Sequence, residues 1–194
     1  IIHATRSVIS GSLPLAVLTG GSFIPKDLDI YVPASQEETL LELIKMHFQC
    51  NTVASLHGEN YTDNNAVATI RWLSAGEGGH RINIMTCTAE SAILPIFYFH
   101  SSLVMNFISS VGLYCAFPEL TINKTAIPAA AFFEKDFNKN QMIGCFNKYT
   151  LRGFNFNLSA NNNRSGSEHA CFADSSCPRT LRTLYDGKGL FIPY

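Results

Sequence analysis

A short segment, residues 25–33, constrains the fold of this chain more than any other. Its sequence, PKDLDIYVP, alternates polar and apolar residues with the period of two that is typical of a β-strand. Because successive side chains of a strand point to opposite faces, Asp27 and Asp29 share one face, and Leu28 and Ile30 share the other. Two carboxylates this close raise one another's pKa unless a cation lies between them. The segment is therefore predicted to be a strand with one apolar face and one face that attracts a cation.

The rest of the chain mixes strand and helix patterns. Further strands are predicted at 7–12, 67–73, 81–86, 105–109, 112–117 and 153–158, with one short strand near the C-terminus. Helices are predicted at 13–18, 34–48, 89–104 and 130–149. This order predicts an α+β fold in which helices flank a mixed β-sheet. We divide the chain into a core, residues 1–124, and an irregular C-terminal extension, residues 125–194, that packs on the core.

Residues 34–48 give the clearest helix pattern in the chain. Ser35 and Glu38 have the spacing of a capping box, so Ser35 is predicted as the N-cap. The apolar stripe at helical spacing is predicted to be buried and consists of Leu40, Leu41, Ile44 and Phe48.

The composition excludes two classes of partner. The net charge is −1 and 15% of the residues are charged, which gives no electrostatic surface for nucleic acid or for an anionic membrane. Residues 91–118 contain no Asp, Glu, Lys or Arg, but Pro95, His100 and several serines interrupt the run. We interpret it as a buried helix followed by a buried strand, with no membrane span. Because the chain starts at Ile1, a missing leader is uninformative, and an intracellular, cytoplasmic location is the expectation.

Six cysteines and a few basic or imidazole side chains are further candidates for chemistry. The wide cysteine spacing and apolar surroundings favour free thiols over disulfides. His169, Cys171 and Cys177, with Cys145 earlier, leave a zinc site or a Cys171–Cys177 disulfide open as alternatives. His100 is interpreted as a core histidine. The basic residues of the C-terminal part that are candidates to line an anion site are Lys148, Arg152, Arg179 and Arg182.

A Gly-Ser turn precedes the strand that carries the two aspartates. Gly11 and Ser12 end one predicted strand and begin a helix. A glycine there lets the backbone approach a ligand closely, and the free N–H groups and the serine hydroxyl can donate to an anion. Asp27 and Asp29 then offer the carboxylates that Mg²⁺ takes together with substrate phosphates. A phosphate site beside a metal site is typical of phosphoryl or nucleotidyl transfer.

Residues 9–33 resemble the signature of the nucleotidyltransferase superfamily, which has a DNA polymerase β-like fold. In that signature an apolar residue, Gly and then Gly or Ser precede a spacer and the pattern Asp, apolar, Asp or Glu, apolar. Gly11-Ser12 and Asp27-Leu28-Asp29-Ile30 match it, with a spacer of fourteen residues that is slightly long. The segments FHSSLVMNFIS and CFADSSCPRTLRTLYDG are similar to an uncharacterised nucleotidyltransferase-like group common in fungi, so the resemblance covers nearly the whole chain.

The resemblance implies the nucleotidyltransferase fold and a nucleoside triphosphate bound at Gly11 and Ser12. It implies a divalent metal, Mg²⁺ or Mn²⁺, on Asp27 and Asp29, and transfer of a nucleoside monophosphate to a hydroxyl acceptor. It also implies a third carboxylate on a neighbouring strand, where this chain has Asn83.

Asn83 leaves two alternatives open. Its amide oxygen can coordinate a metal, but it carries no charge and cannot act as a base. Glu77 and Glu90 flank the same strand without the right alternation. The chain is therefore either an active enzyme, with Asp27, Asp29 and Asn83 in the catalytic positions, or a pseudoenzyme that binds or scaffolds without turnover.

Overall fold

Ten β-strands form within the residues that the computed structural model describes, which are 1–57, 66–74, 81–130, 139–157, 180 and 182–194. The strands are β1 (Val8–Ser10), β2 (Asp27–Pro33), β3 (Asn51–His57), β4 (Val67–Ser74), β5 (Arg81–Cys87), β6 (Asn106–Ile108), β7 (Gly112–Cys115), β8 (Thr125–Ala126), β9 (Asn155–Phe156) and β10 (Leu190–Pro193). The helices in the same residues are α1 (Ser12–Leu18), α2 (Glu37–Phe48), α3 (Pro118–Ile122) and α4 (Lys139–Thr150). Short 3₁₀ helices form at Ala34–Gln36, Leu94–Tyr98 and Ser102–Val104.

Eight of these strands form one mixed sheet, in the order β10-β7-β6-β1-β2-β5-β4-β3. Neighbouring strands are antiparallel except for β2 and β5, which run parallel. A parallel pair needs a long connection, and here that connection begins with α2. β8 and β9 form a separate two-stranded parallel sheet. The expected α+β class, with a mixed sheet flanked by helices, is confirmed.

One face of the central strands packs against α2. The apolar positions that alternate along β2, β4 and β5 meet the apolar stripe of the helix in a single aliphatic cluster. Its fully buried members are Val32, Leu40, Leu73 and Ile84. At about 25 cal/mol per Å² of apolar surface removed from water, burial of this kind is the main stabilisation of the sheet.

The opposite face of the same strands contacts the 3₁₀ segments between 94 and 104, and α4 lies close by. Tyr31 and Met85 are buried there with Ile96 and Phe107 in a second cluster. A third cluster joins α1 to Tyr149 of α4 and to Phe154. These elements form the walls above the face that carries Asp27 and Asp29.

The helix predicted at 34–48 forms, but two of its details differ from the prediction. The α-helix starts at Glu37, and Ser35 lies in the preceding 3₁₀ helix, where its hydroxyl donates to Glu90 Oε2 at 2.5 Å and accepts no capping bond from a helix N–H. Phe48 is 49% exposed, whereas Leu40 and Ile44 are buried. Phe48 is the last residue of α2 and is not among the described members of the aliphatic cluster.

The prediction of a helix at 89–104 is wrong. Ser101 has an extended backbone and forms a β-bridge with Pro128. Ser102 exchanges hydrogen bonds with Ile127, through its backbone N–H (2.9 Å) and its hydroxyl oxygen (2.9 Å). These tertiary bonds replace the i to i−4 bonds of a helix, so only short 3₁₀ helices remain.

The other elements follow the predictions more closely. Strands β2, β4, β5, β6 and β7 are confirmed within a residue or two at each end, whereas β3 was not predicted. The helix expected at 130–149 is described from Lys139 onward, since residues 131–138 lie outside the described residues. None of the helices in the described part of the chain has the length and apolar character needed to cross a bilayer.

Near the C-terminus, β10 pairs with β7 and extends the main sheet. The division of the chain at residues 124 and 125 stays a prediction.

Candidate functional site

Asp29 and Asn83 face each other at the centre of the sheet. They are paired in the parallel register of β2 and β5, so their side chains share a face. Asn83 Nδ2 donates a hydrogen bond of 2.6 Å to Asp29 Oδ1. The parallel register of β2 and β5 therefore brings together the two groups that the resemblance assigns to one site.

Gly11 closes the site from the side of β1. It has φ 73° and ψ −136°, a conformation that is essentially restricted to glycine. A Cβ at this position would collide with the carboxylate of Asp29. Ser12 follows as the first residue of α1 and is buried. Glycine is thus required both by the turn and by the close approach of the backbone to Asp29.

Asp27 has a different partner, Arg81. Arg81 Nε donates to Asp27 Oδ1 at 3.0 Å, and the two residues are register partners at the start of β2 and β5. The side chains are 55% and 28% exposed, respectively. Exposed ion pairs of this kind stabilise a fold by about 0–1 kcal/mol. The Arg81 guanidinium, on the neighbouring strand, therefore supplies part of the positive charge that the two aspartates require.

Burial raises the pKa of Asp29 above its ordinary value of 3.8. The hydrogen bond from Asn83 lowers it, the negative charge of Asp27 raises it, and the positive charges of Lys148 and Arg81 lower it, with a net rise. Desolvation thus opposes the charged carboxylate more strongly than its neighbours support it. A bound cation would shift this balance towards the carboxylate.

A cavity of about 180 Å³ lies over Asp29 and Asn83. Asp29 and Asn83 form part of its floor. Tyr31 and Met85 follow two positions further along the same two strands and also line the cavity. The described residues that complete it come from β4, the 94–104 segment and α4, and are Ile70, Trp72, Phe99, His100, Val104, Cys145, Lys148 and Tyr149. Gly11 and Ser12 line the same cavity, whereas Asp27 does not. The cavity therefore combines a carboxylate end with an aromatic end.

Two buried polar atoms of the cavity lining lack a hydrogen-bond partner among the described residues: Asn83 Oδ1 and His100 Nδ1. Burial, assisted by the positive charge of Lys148, lowers the pKa of His100 to about 4, so the imidazole is neutral. His100 packs against the rings of Phe146 and Tyr149, as a core histidine would. Buried polar atoms normally find a partner, so both point to a ligand or to ordered water.

The oxygen donors in and beside the carboxylate end of the cavity fit one hard cation. Asp27 and Asp29 offer two carboxylates, and Asn83 Oδ1 is an amide oxygen with unused lone pairs. Mg²⁺ accepts one or two carboxylates and completes its shell with water or phosphate oxygens. Within the described residues no three His, Cys, Asp or Glu side chains converge on one point. The donor set therefore supplies carboxylates for one cation and no third carboxylate for a second.

Other sequence candidates lie elsewhere. Glu90 accepts hydrogen bonds from Ser35 and Arg6, both exposed. Arg152 stacks on Phe23, with its guanidinium carbon 4.2 Å from the ring centroid. Arg182 is buried and pairs with Asp186 at 2.5 Å.

Of the C-terminal cations in the described chain, Lys148 lines the cavity. Cys50, Cys87, Cys115 and Cys145 are free thiols, as predicted. The candidates that lie outside the described residues are Glu77, His169, Cys171, Cys177 and Arg179.

Sequence reasoning missed Arg81 and the aromatic end of the cavity. Arg81 was within reach of the alternation rule, because it lies two positions before Asn83 on the same face. The position of Trp72 in the site follows from the β4–β5 register, because Trp72 is paired with Asn83. Tyr149 had no local signal, since α4 reaches the site through tertiary packing.

Comparisons of the chain with protein-family models, with curated proteins and with solved structures gave no match in any of the three. What the site does must therefore be argued from its own residues.

Proposed function

We propose that this site binds a nucleoside triphosphate together with one divalent cation, Mg²⁺ or Mn²⁺. One observation carries the proposal: the glycine turn before α1 lies against Asp29, which is itself hydrogen-bonded to Asn83 on the adjacent strand. A turn without a Cβ, a carboxylate and an amide oxygen at one end of a cavity are the groups that a metal-bound triphosphate needs. The nucleotidyltransferase fold, with its mixed sheet, is part of this proposal.

Each residue has a distinct role in binding. The backbone at Gly11 admits phosphate oxygens next to Asp29, and the hydroxyl of Ser12 donates a hydrogen bond to one of them. Asp27 and Asp29 hold the cation. When bound, the cation neutralises triphosphate charge and lowers the pKa of an attacking hydroxyl.

The reaction that we propose for this arrangement is transfer of a nucleoside monophosphate to a hydroxyl acceptor. The contribution of the protein is to align the α-phosphate with the acceptor and to exclude water, which accounts for much of the acceleration in phosphoryl transfer. The aromatic end of the cavity offers apolar surface for a planar group.

A second candidate function, binding without transfer, is favoured by a specific observation. Asn83 Nδ2 faces Asp29, and Asn83 offers only a neutral oxygen where a third carboxylate would hold a second cation. On this proposal the protein is a nucleotidyltransferase-like pseudoenzyme that uses the site for recognition or scaffolding.

Calorimetric titration tests binding. A mixture of nucleoside triphosphates is titrated into the protein with Mg²⁺ or Mn²⁺, and again with the metal removed by chelation. We expect binding that requires metal and is lost in the double variant Asp27→Ala/Asp29→Ala. Metal-independent binding, or equal binding by the double variant, would reject the site.

Asn83→Asp separates the two candidates. If Asn83 is what prevents turnover, the new carboxylate should create or raise metal-dependent release of pyrophosphate from the triphosphate. Asn83→Ala is the matched control, because it removes the amide without adding a charge. Equal activity in the wild-type protein and in Asn83→Asp would show that a third carboxylate is not what limits this chain.

A further inference from the structure

Arg81 is the charged group of this face that neither the aspartate signature nor the proposed roles use. It lies on β5 two positions before Asn83, so the two side chains share a face about 7 Å apart along the strand. Its charge reaches the site, because it lowers the pKa of Asp29 through space. A fixed positive charge thus lies beside the carboxylate end of the cavity.

The guanidinium of Arg81 has unused hydrogen-bonding capacity. Its Nε donates to Asp27, and in the described part of the chain the Nη groups have no partner within hydrogen-bond distance. Arginine has five donors in a planar fork that matches phosphate oxygens. The side chain is 55% exposed, so a triphosphate can approach it.

Arg81 also offers the positive charge that a second metal ion would otherwise bring to the site. A site with Asp27, Asp29 and Asn83 carries one negative charge fewer than a site with three carboxylates, and its donors suit one cation. A triphosphate that enters with one divalent cation still has negative charge to be neutralised. Arg81 is the nearest described guanidinium to these residues by strand register.

We propose that Arg81 supplies the second positive charge of the site: its guanidinium stays beside Asp27 and binds a non-bridging phosphate oxygen of a triphosphate that enters with one divalent cation. This inference rests on the proposed function and names the group that replaces a second metal. Arg81 is a binding residue here, and its Nε bond to Asp27 fixes the orientation of the fork.

Binding of magnesium tripolyphosphate tests this directly, because the probe has the charge of the ligand and no nucleoside. Arg81→Gln should weaken binding by about 10- to 100-fold, as expected for loss of a charged hydrogen bond. Arg81→Lys should restore part of the loss, because it keeps the charge but not the fork. Arg6→Gln is the matched control, since Arg6 is 57% exposed and pairs with Glu90 at 3.2 Å, away from the cavity.

The outcomes separate the inference from the function on which it rests. Wild-type protein that fails to bind the probe, or binds it equally after Asp29→Asn, would remove the proposed function and the inference together. Binding that depends on Asp29 but is unchanged in Arg81→Gln would overturn the role of Arg81 alone. Thermal unfolding of each variant establishes that it is folded before its affinity is compared.

Counting metal ions gives an independent readout. Crystals grown with Mn²⁺ and a non-hydrolysable nucleoside triphosphate should show one anomalous peak at Asp27 and Asp29, with Arg81 within hydrogen-bond distance of a phosphate oxygen. Two peaks at the site, or Arg81 turned away from the phosphates, would overturn the proposal.

Discussion

Strands β2 and β5 bury aliphatic side chains on one face and carry charged, amide and aromatic groups on the other. Towards α2, Val32 and Ile84 are completely buried in the aliphatic cluster. Towards the cavity, Asp29 has a raised pKa and Asn83 Oδ1 lacks a partner among the described residues. The same backbone thus supports one face that is fully packed and one that is not.

The difference shows how the fold can tolerate the site. A buried carboxylate and unpaired polar atoms cost free energy, and the cost is met by neighbouring apolar burial on the same strands. Substitutions on the aliphatic face should therefore reduce stability, whereas substitutions of the polar residues on the cavity face should reduce binding and change stability little or favourably.

Ile84→Ala should have the largest effect on stability. Ile84 is fully buried against α2, and truncation of such a residue costs about 2–5 kcal/mol because it leaves a cavity. Urea unfolding measures the loss. Met85→Ala, on the adjacent position of the other face, is the comparison variant: a larger loss there than in Ile84→Ala would contradict the contrast between the faces.

Gly11→Ala should destabilise the fold by about 1–3 kcal/mol through backbone strain and should abolish triphosphate binding, because the new Cβ meets the carboxylate of Asp29. Gly20→Ala is the matched control. Gly20 has a similar φ of 67° and open space around its Cβ position among the described atoms, so it should show strain without loss of binding. Calorimetry that finds both variants equally impaired would mean that contact with Asp29 is not what requires Gly11.

Asp29→Asn should raise stability in the absence of metal while it removes metal binding. Because the folded-state pKa of Asp29 is raised above 3.8 by burial, the wild-type protein loses stability as the pH rises through that folded pKa. The advantage of the Asn variant should therefore be absent below pH 3.8 and grow above it.

Asp186→Asn is the control, because the stability contributed by this carboxylate should change with pH in the opposite direction. Hydrogen bonding to Arg182 lowers the pKa of Asp186 to about 2, so this carboxylate stabilises the fold above its ordinary pKa of 3.8, and the contribution is lost as the pH falls towards 2. Urea unfolding over a pH series should thus show opposite trends for the two variants. Parallel trends would reject the raised pKa of Asp29.

Phe48→Ala should have the smallest effect, within about 0.5 kcal/mol, because half of the side chain is already exposed. Ile44→Ala, one turn earlier and buried, is the reference within the same helix. If thermal unfolding shows similar losses for both, the aliphatic cluster extends further along α2 than the described contacts indicate.

Alternation along β2 predicted the common face of Asp27 and Asp29, since strand geometry is local and regular. Asn83 came from the resemblance, and the parallel register of β2 and β5 places it beside Asp29. Alternation extended backwards from Asn83 would have included Arg81. Local rules failed at residues 89–104, where backbone hydrogen bonds to residues 127 and 129 decide the conformation. They failed again at Ser35, whose hydroxyl bonds to Glu90 across 55 positions of sequence.

The aromatic end of the cavity could not be predicted for a related reason. His100 and Tyr149 reach Asp29 only after α4 has packed on the 94–104 segment, and nothing in their own surroundings in the sequence indicates that contact. Charge and alternation identify the carboxylate end of the site, whereas the aromatic end is defined by tertiary packing.

The pairing of β10 with β7 has a consequence for how the chain acquires its structure during synthesis. Residues 190–193 leave the ribosome long after Gly112–Cys115, so β7 presents an open edge with unpaired N–H and C=O groups until then. Such an edge can recruit a strand from another nascent chain. Chains stalled before residue 190 should therefore aggregate more readily than chains in which β10 has paired with β7.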